Sequence, residues 1–439
     1  MRVLKFGGTS VGSAERIKEV ASLVKSKGKN IIVLSAMSGT TNTLVEIADY
    51  LYKKNTDGAK ETINALESKY NKTIAELYDQ HEYKAEAIEA VKICFNYIRT
   101  FTKDLFTVYE EREILAQGEL MSTALMNIYL RMNGVNSVLL PALEYMRTDK
   151  NAEPDTQFIK NKLTELLQAN ADADIYITQG YICRNAYGEV DNLQRGGSDY
   201  SASLIGAAID AEEIEIWTDI DGMHNNDPRY VDGTKPVKSL HFEEAAELAY
   251  FGAKILHPTC ILPAKLNNIP VRLLNTMQAE AEGTLINNAP ADGFKIKAIA
   301  AKDNITAIKI KSGRMLLAYG FLRKVFEIFE SYKTSIDMIA TSEVGVSVSI
   351  DNAKNLDVIV DDLKKFGTVT VDDDMVIVCV VGDLEWHNTG LEAAAVDALK
   401  YLPVRMISYG GSNYNISFLI NREDKVKALN LLSEKLFNN

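Results

Sequence analysis

The sequence is poor in the features that would take it out of the class of ordinary soluble proteins. Its four cysteines, Cys94, Cys183, Cys260 and Cys379, are scattered and form no CxxC pair. That spacing excludes a disulfide framework and reads as the reduced cysteines of a cytoplasmic protein. Basic residues are outnumbered: 48 Lys and Arg against 60 Asp and Glu leave a formal charge of -12. This balance excludes nucleic acid or an anionic membrane as the main partner, while leaving room for a local basic pocket around a small anion. No apolar run reaches the roughly 18 residues of a membrane span. The first strand pattern begins almost at Met1, so no leader is expected ahead of it. With nine prolines, 46% hydrophobic and 25% charged residues, the 439-residue chain is an ordinary globular composition, long enough for two or three domains. Two familiar ligand motifs are also missing: the GxxxxGK phosphate loop and the calcium loop with its terminal glutamate.

What is present is an alternation. "VLKF", "NIIVLSAM", "SVLLPA", "DIYITQGYIC", "IEIWTDI" and "IPVRLLN" are nearly continuous in apolar residues, as strands buried on both faces are. Helical patterns lie between them. After Ser13, a suitable N-cap, Ile17, Val20, Ala21 and Val24 mark one face and Gly28 supplies the stop. The expectation is an α/β domain of three αβα layers, with a mostly parallel sheet covered by helices on both sides. Residues from about 53 to 110 are charged and helical and read as an insertion.

Near residue 291 the runs become shorter and closer, from "KIKAIAAK" and "ITAIKIK" to "VRMISYG" and "NISFLIN". Strands at 305–311, 336–341, 344–350 and 368–371, with helices at 320–332 and 353–365, make one βαββαβ unit. From 375 the same pattern repeats but stops one strand short, and 295–302 is a spare strand of suitable length. The expected organisation is therefore 1–290, then a small α+β module at 303–372 inserted into a second one built from 295–302 plus 373–439.

Four loops carry the chemistry. In "LKFGGTSVGS", Lys5 ends a buried strand ahead of Gly7 and Gly8, which let backbone approach a ligand, while a lysine there adds a mobile positive charge suited to a phosphate oxygen. "SAMSGTTN" brings small donors, Ser35, Thr41 and their neighbours. "NLQRGGSDYSASLIGAAI" places Arg195, Ser198 and Asp199 before a small-residue helix; an arginine grips a carboxylate with two parallel hydrogen bonds. "IWTDIDGMHNNDPR" carries Thr218, Asp219, Asp221, Asp227 and Arg229, and "AYFGAKILHP" adds Lys254. Each loop alone has a plain reading as a turn or a helix cap. Loops after parallel strands gather at one sheet edge, however, so together they suit phosphoryl transfer, which depends on positioning and charge neutralisation.

Taken in order, "KFGGTS", "SAMSGTTN", "GELMST", "RGGSDYSA", "WTDIDG", "DPR" and "FGAKILHP" resemble the aspartate kinases of the amino-acid kinase family, and the resemblance covers essentially the whole chain. It implies transfer of the ATP γ-phosphate to the β-carboxylate of L-aspartate, with Mg²⁺ accompanying the nucleotide and no assigned protein ligand to metal. It further implies that Lys5, Asp199 and Lys254 serve the transfer itself. Ser35, Thr41, Glu119, Arg195 and Ser198 would bind aspartate. Gly7, Gly8, Thr218, Asp219 and Arg229 would join Lys5 and Lys254 on ATP. His224 and Asp221 depart from the tyrosine and proline of several relatives, which bears on adenine packing rather than on the phosphates.

The C-terminal modules resemble ACT domains. "MLLAYGFL…SID…TSE" is similar to the lysine-inhibited members, which implies L-lysine as effector at Met315, Gly320, Phe321, Leu322, Ser335, Ile336, Asp337, Thr341, Ser342 and Glu343. It also implies a homodimer or larger assembly through these domains. With its last residue at 439 the chain is expected to be monofunctional. Two rivals remain at this stage: another amino-acid kinase acting on a different acceptor, and a catalytically dead amino-acid sensor.

Overall fold

The apolar runs become strands and the amphipathic stretches between them become helices. A computed structural model describes residues 1–103, 105–193, 196–252, 258–289, 296–313 and 319–437. In chain order the strands are β1 (Arg2–Phe6), β2 (Asn30–Leu34), β3 (Ser137–Leu140), β4 (Ile175–Gln179), β5 (Ile182–Arg184), β6 (Val190–Asn192), β7 (Ile214–Thr218), β8 (Ser239–His241), β9 (Val271–Asn275), β10 (Thr284–Asn287), β11 (Ile296–Lys311), β12 (Ile339–Ser342), β13 (Gly345–Ile350), β14 (Thr368–Gly382), β15 (Val404–Tyr409) and β16 (Asn415–Asn421). Packing divides the chain into two units, Met1–Met223 with Leu256–Asn288, and His224–Ile255 with Ala289–Asn439.

In the first unit the strand order is β3-β4-β2-β1-β7-β9-β10. Neighbours run parallel as far as β9, and β10 turns back antiparallel to it. Side chains alternate across the sheet. Leu4, Phe6, Ile32, Leu34, Ile175, Ile177 and Trp217 face a large apolar cluster that holds Ile17, Val20 and Val24 of helix Ala14–Ser26 and Ile114, Leu125 and Met126 of helix Val108–Met132. Val3, Ile31, Val33 and Ile216, one residue out of phase, are equally buried on the opposite face, where helix Gly197–Ala208 packs on β1, β2 and β7. Three layers follow from this two-sided burial. The first helix starts and stops where its sequence implies. Ser13 accepts the Arg16 N–H at 3.3 Å, and Gly28 takes φ +75°.

The charged insertion is helical, as Thr56–Leu77 and His81–Thr100, and Ile63, Leu66, Tyr70, Ile74, Val91, Phe95 and Ile98 extend the same apolar cluster. One run departs from its reading. "DIYITQGYIC" is two strands, β4 and β5, broken at Gly180 and at Tyr181, whose φ is +66°. The break has a packing cause: a Cβ on Gly180 would lie 2.3 Å from the Cβ of Ser198, so helix Gly197–Ala208 sits directly on this turn.

The second unit is built on a six-stranded sheet of order β12-β13-β11-β14-β16-β15. The two runs expected as separate strands, 295–302 and 305–311, form one strand, β11, and the runs at 368–371 and 375–381 likewise merge into β14. β11 and β14 pair antiparallel along their lengths, from Ile296 opposite Gly382 to Lys311 opposite Thr368, with a register shift between Lys302 and Ile305. Asn304, inside that shift, has φ +60°. Two apolar cores lie along this shared pair. One holds Ile308, Ile310, Phe321, Val325, Phe329, Val346, Val348 and Ile359. The other holds Ile299, Val376, Val378, Val380, Ala395, Phe418 and Leu429.

Residues 224–255, expected within the first domain, pack with the C-terminal unit. The cause is a set of polar ties. Asn226 donates to the Leu429 carbonyl at 3.1 Å, the Asn225 carbonyl accepts from Ile299, and Asn415 donates to Glu247.

Candidate active site

Because β1, β2, β4 and β7 are parallel, the loops after them leave the same sheet edge, where open α/β folds bind ligands. Lys5 sits in β1 opposite Val33 of β2 and Ile216 of β7. Strand alternation puts it on the face carrying helix Gly197–Ala208, whose first turn bears Asp199. The two charges meet there. Lys5 Nζ lies 2.7 Å from Asp199 Oδ1, a close ion pair whose angle is not that of an aligned hydrogen bond. Both side chains are largely shielded, 12% and 17% exposed, which leaves the pair just open to the edge.

The glycine loop is held against the next one. The Gly7 N–H donates to the Trp217 carbonyl at 3.2 Å, and Ser38 N–H to the Gly8 carbonyl at 3.1 Å. A side chain on Gly8 would come within 2.8 Å of the Ala36 carbonyl oxygen, so the two loops touch through backbone alone. Ser35 donates to Ser198 Oγ at 2.9 Å, joining the loop after β2 to the helix that carries Asp199. Thr41, in the first turn of helix Thr40–Tyr52, is exposed.

Glu119 is the least ordinary group. It lies in the middle of helix Val108–Met132, 3% exposed, and accepts the Ala36 N–H at 3.2 Å through Oε1. Its Oε2 is buried with no partner among the described residues. Burial pushes its carboxyl up to about 8, against the pull of the Ala36 N–H. A carboxylate in this position has one oxygen reserved for a donor that the described residues do not supply.

At the end of β7, Thr218 Oγ1 accepts the Asp219 N–H at 2.6 Å, and the Asp219 carboxylate is exposed. Arg229 belongs to the second unit, where it pairs with Asp227 at 2.6 Å and is largely exposed. His224 Nδ1 lies 3.0 Å from Thr234 Oγ1. Arg195, Lys254 and Met315 fall outside the described residues. Lys5, Gly7, Gly8, Ser35, Ser198 and Asp199 are thus brought together through direct contacts.

Three supports escaped the reading of the sequence. Ser122 donates to the Ser35 carbonyl at 2.8 Å, Lys69 donates to the Ser38 carbonyl at 2.6 Å, and Tyr70 and Thr40 share a 3.1 Å hydrogen bond. Ser122 follows Glu119 by three residues on one helix, a spacing that puts both on one face; Lys69 and Tyr70 left no local signal.

Of the C-terminal candidates, Gly320 takes φ +80° at the start of helix Phe321–Ser331, and Phe321 is buried in the first small core. Leu322, Ser335, Thr341, Ser342 and Glu343 are exposed, and Ile336 is half-buried. The Asp337 side chain is fully buried and is held by Lys302 at 2.8 Å and by the Tyr250 hydroxyl at 2.6 Å.

Comparison with known proteins agrees with this architecture. The amino acid kinase family signature matches residues 1–275, and an ACT domain signature matches 378–436. The chain is 34% identical to chloroplastic aspartokinase 1 of Arabidopsis thaliana, over 99% of this chain and 80% of that protein. It is 31% identical to the lysine-sensitive aspartokinase 3 of Escherichia coli, over 99% of each. Crystal structures of E. coli aspartokinase III, one with aspartate and ADP and one with lysine and aspartate, superpose with a TM-score of 0.83 each, at 31% and 32% identity and over essentially all of both chains. The chain belongs to the amino acid kinase family and carries C-terminal ACT domains. Its full-length similarity places it among the aspartate kinases: it is a phosphotransferase whose acceptor is a carboxylate.

Proposed function

We propose that this aspartate kinase transfers the γ-phosphate of ATP to the β-carboxylate of L-aspartate, giving 4-phospho-L-aspartate and ADP, the first step toward lysine, threonine and methionine, and that L-lysine inhibits it through the ACT domains. The observation that carries the catalytic part is the Lys5–Asp199 pair, set between two backbone-packed loops at the edge of the parallel sheet. A β-carboxylate oxygen forms the new bond to Pγ while the bond from Pγ to the bridging oxygen breaks toward ADP. An aspartate side chain is already ionised at neutral pH, so no strong base is needed. Lys5 meets the charge that spreads over the transferring group, and Asp199 holds Lys5 in place. Lys254 neutralises phosphates from another side.

Glu119 takes the substrate ammonium on its unpartnered oxygen. Arg195 holds the α-carboxylate, and Ser35, Thr41 and Ser198 hold the reacting end. Gly7, Gly8, Thr218, Asp219 and Arg229 serve the nucleotide. Mg²⁺ bound with ATP would add charge neutralisation at its phosphates; such an ion needs only one or two carboxylates beside them, and exposed Asp219 fits that need.

The organisation proposed is a catalytic segment of 1–290, a first ACT domain at 303–372, and a second from 295–302 plus 373–439. The pairing of Ile296–Lys302 with Ile377–Gly382 supports the last assignment. A homodimer or larger assembly through the ACT domains, in the cytoplasm, completes the reading; no described helix is long and apolar enough to cross a membrane. The test is hydroxylamine trapping of the acyl phosphate with ATP, Mg²⁺ and L-aspartate, repeated with lysine, threonine and methionine. Hydroxamate formation that falls with lysine alone is expected; no product from aspartate would overturn the reading.

A further inference from the structure

The Asp337 carboxylate does two things at once. Its Oδ1 accepts both the Tyr250 hydroxyl and Lys302 Nζ, at 2.6 and 2.8 Å. Its Oδ2 is buried with no partner among the described residues. Lys302 also reaches Asp351 Oδ2 at 2.9 Å and stands 4.2 Å from the centre of the Tyr250 ring. Two carboxylates and one ammonium leave this cluster one negative charge, and one acceptor oxygen is open. That is the complement of an incoming ammonium.

The second partner leads elsewhere. Tyr250 is the last residue of helix Phe242–Tyr250, and Lys254 follows four residues later. Between them, Gly252 lies so close to β11 that a Cβ there would come 2.2 Å from the Ala301 carbonyl oxygen, next to Lys302 itself. The end of this helix is therefore fixed at two points, the Asp337 carboxylate and the backbone of β11.

Resting on the effector reading above, we propose that Tyr250 is the residue that transmits effector binding from the first ACT domain to the segment bearing Lys254. An ammonium arriving on Asp337 draws on the same carboxylate that holds the Tyr250 hydroxyl. It also repels the like charge of Lys302 away from the Tyr250 ring and toward Asp351. Both changes release the same tyrosine. The hydroxyl is then a positioning group, with no contact to substrate required.

Tyr250→Phe in the full chain separates binding from transmission, since it keeps the ring over Lys302 and removes only the hydroxyl. Calorimetry with L-lysine and steady-state kinetics are run on both proteins, together with ADP binding with and without lysine. Expected are an unchanged thermal midpoint, lysine bound at least as tightly as by the unaltered chain, a basal kcat already lowered toward the lysine-inhibited value because the tether to Asp337 is gone, and further inhibition by lysine that shrinks toward none. The lysine effect on ADP affinity, roughly 5- to 150-fold for a typical coupled pair of sites, shrinks with it. Tyr250→Phe inhibited as strongly as the unaltered chain would overturn the proposal, and so would loss of lysine binding along with inhibition, which makes the hydroxyl part of the binding site. If the unaltered chain binds no lysine, the effector reading itself fails, and this inference goes with it.

Discussion

In the proposed reaction two side chains carry the chemistry, and each makes a measurable claim. On the proposed mechanism Lys5 stands where negative charge builds up between donor and acceptor, so Lys5→Ala should lower kcat by roughly 10²- to 10³-fold while KM for aspartate changes little. Near-normal turnover in a folded Lys5→Ala protein would remove Lys5 from the mechanism. Glu119 gives a pH dependence. Its carboxyl is raised to about 8 by burial, so the free enzyme holds it protonated at neutral pH. A bound ammonium favours the ionised form, and aspartate binding at pH 7 should therefore release a proton. Calorimetry in two buffers of different ionisation heat reads that release, and Glu119→Gln should abolish it. The sign for stability is the reverse of the usual carboxylate. The folded chain binds the proton more tightly than the unfolded one, so this group's contribution falls as pH rises from about 4 to about 8. Denaturant midpoints of the unaltered chain and of Glu119→Gln, compared across that range, should converge at high pH or cross. Lys5 was legible because a charged residue interrupts a buried apolar run. Glu119 was legible only through the family resemblance, since a glutamate in a helix looks the same whether its face meets water or a second loop.

The elements that carry these residues are held by backbone proximity. The loop after β4 and helix Gly197–Ala208 meet at Gly180, where a methyl group has no space beside Ser198. Gly180→Ala should therefore displace Ser198 and the neighbouring Asp199, costing about 1–3 kcal/mol in stability and most of the activity. A thermal midpoint and kcat both close to normal would contradict this packing account. The helical insertion has a corresponding role. Lys69 and Tyr70 of helix Thr56–Leu77 brace the loop after β2 at Ser38 and Thr40, so a stretch read as a charged helical insertion also supports the candidate site. Its helicity was plain from composition. Its contact with the loop rests on residues about thirty positions apart, which no local pattern records.

Across the whole chain, the feature that bears on the proposed regulation is a sheet rather than a loop. β11 and β14 run through both small cores, so the two ACT modules share their central strands. For the proposed regulation, this shared pair is the physical route offered for coupling the two modules. Asp337→Asn should weaken L-lysine binding roughly 10- to 100-fold, the worth of a hydrogen bond to a charged group, and leave basal activity intact. Lysine inhibition unchanged in Asp337→Asn would place the effector elsewhere.

The order of strands and helices, the glycine turns after β1 and at the start of helix Gly197–Ala208, and the alternation that buries both sheet faces follow from the amino-acid sequence alone, because periodicity and turn chemistry act over a few residues. Tertiary structure decided the rest: that Lys5 meets Asp199 across 194 positions of chain, that Glu119 keeps an oxygen without a donor among the described residues, and that two short strand runs fuse into β11. Each of these outcomes is settled by which surfaces exclude water together, and that is a property of packing between segments far apart in sequence.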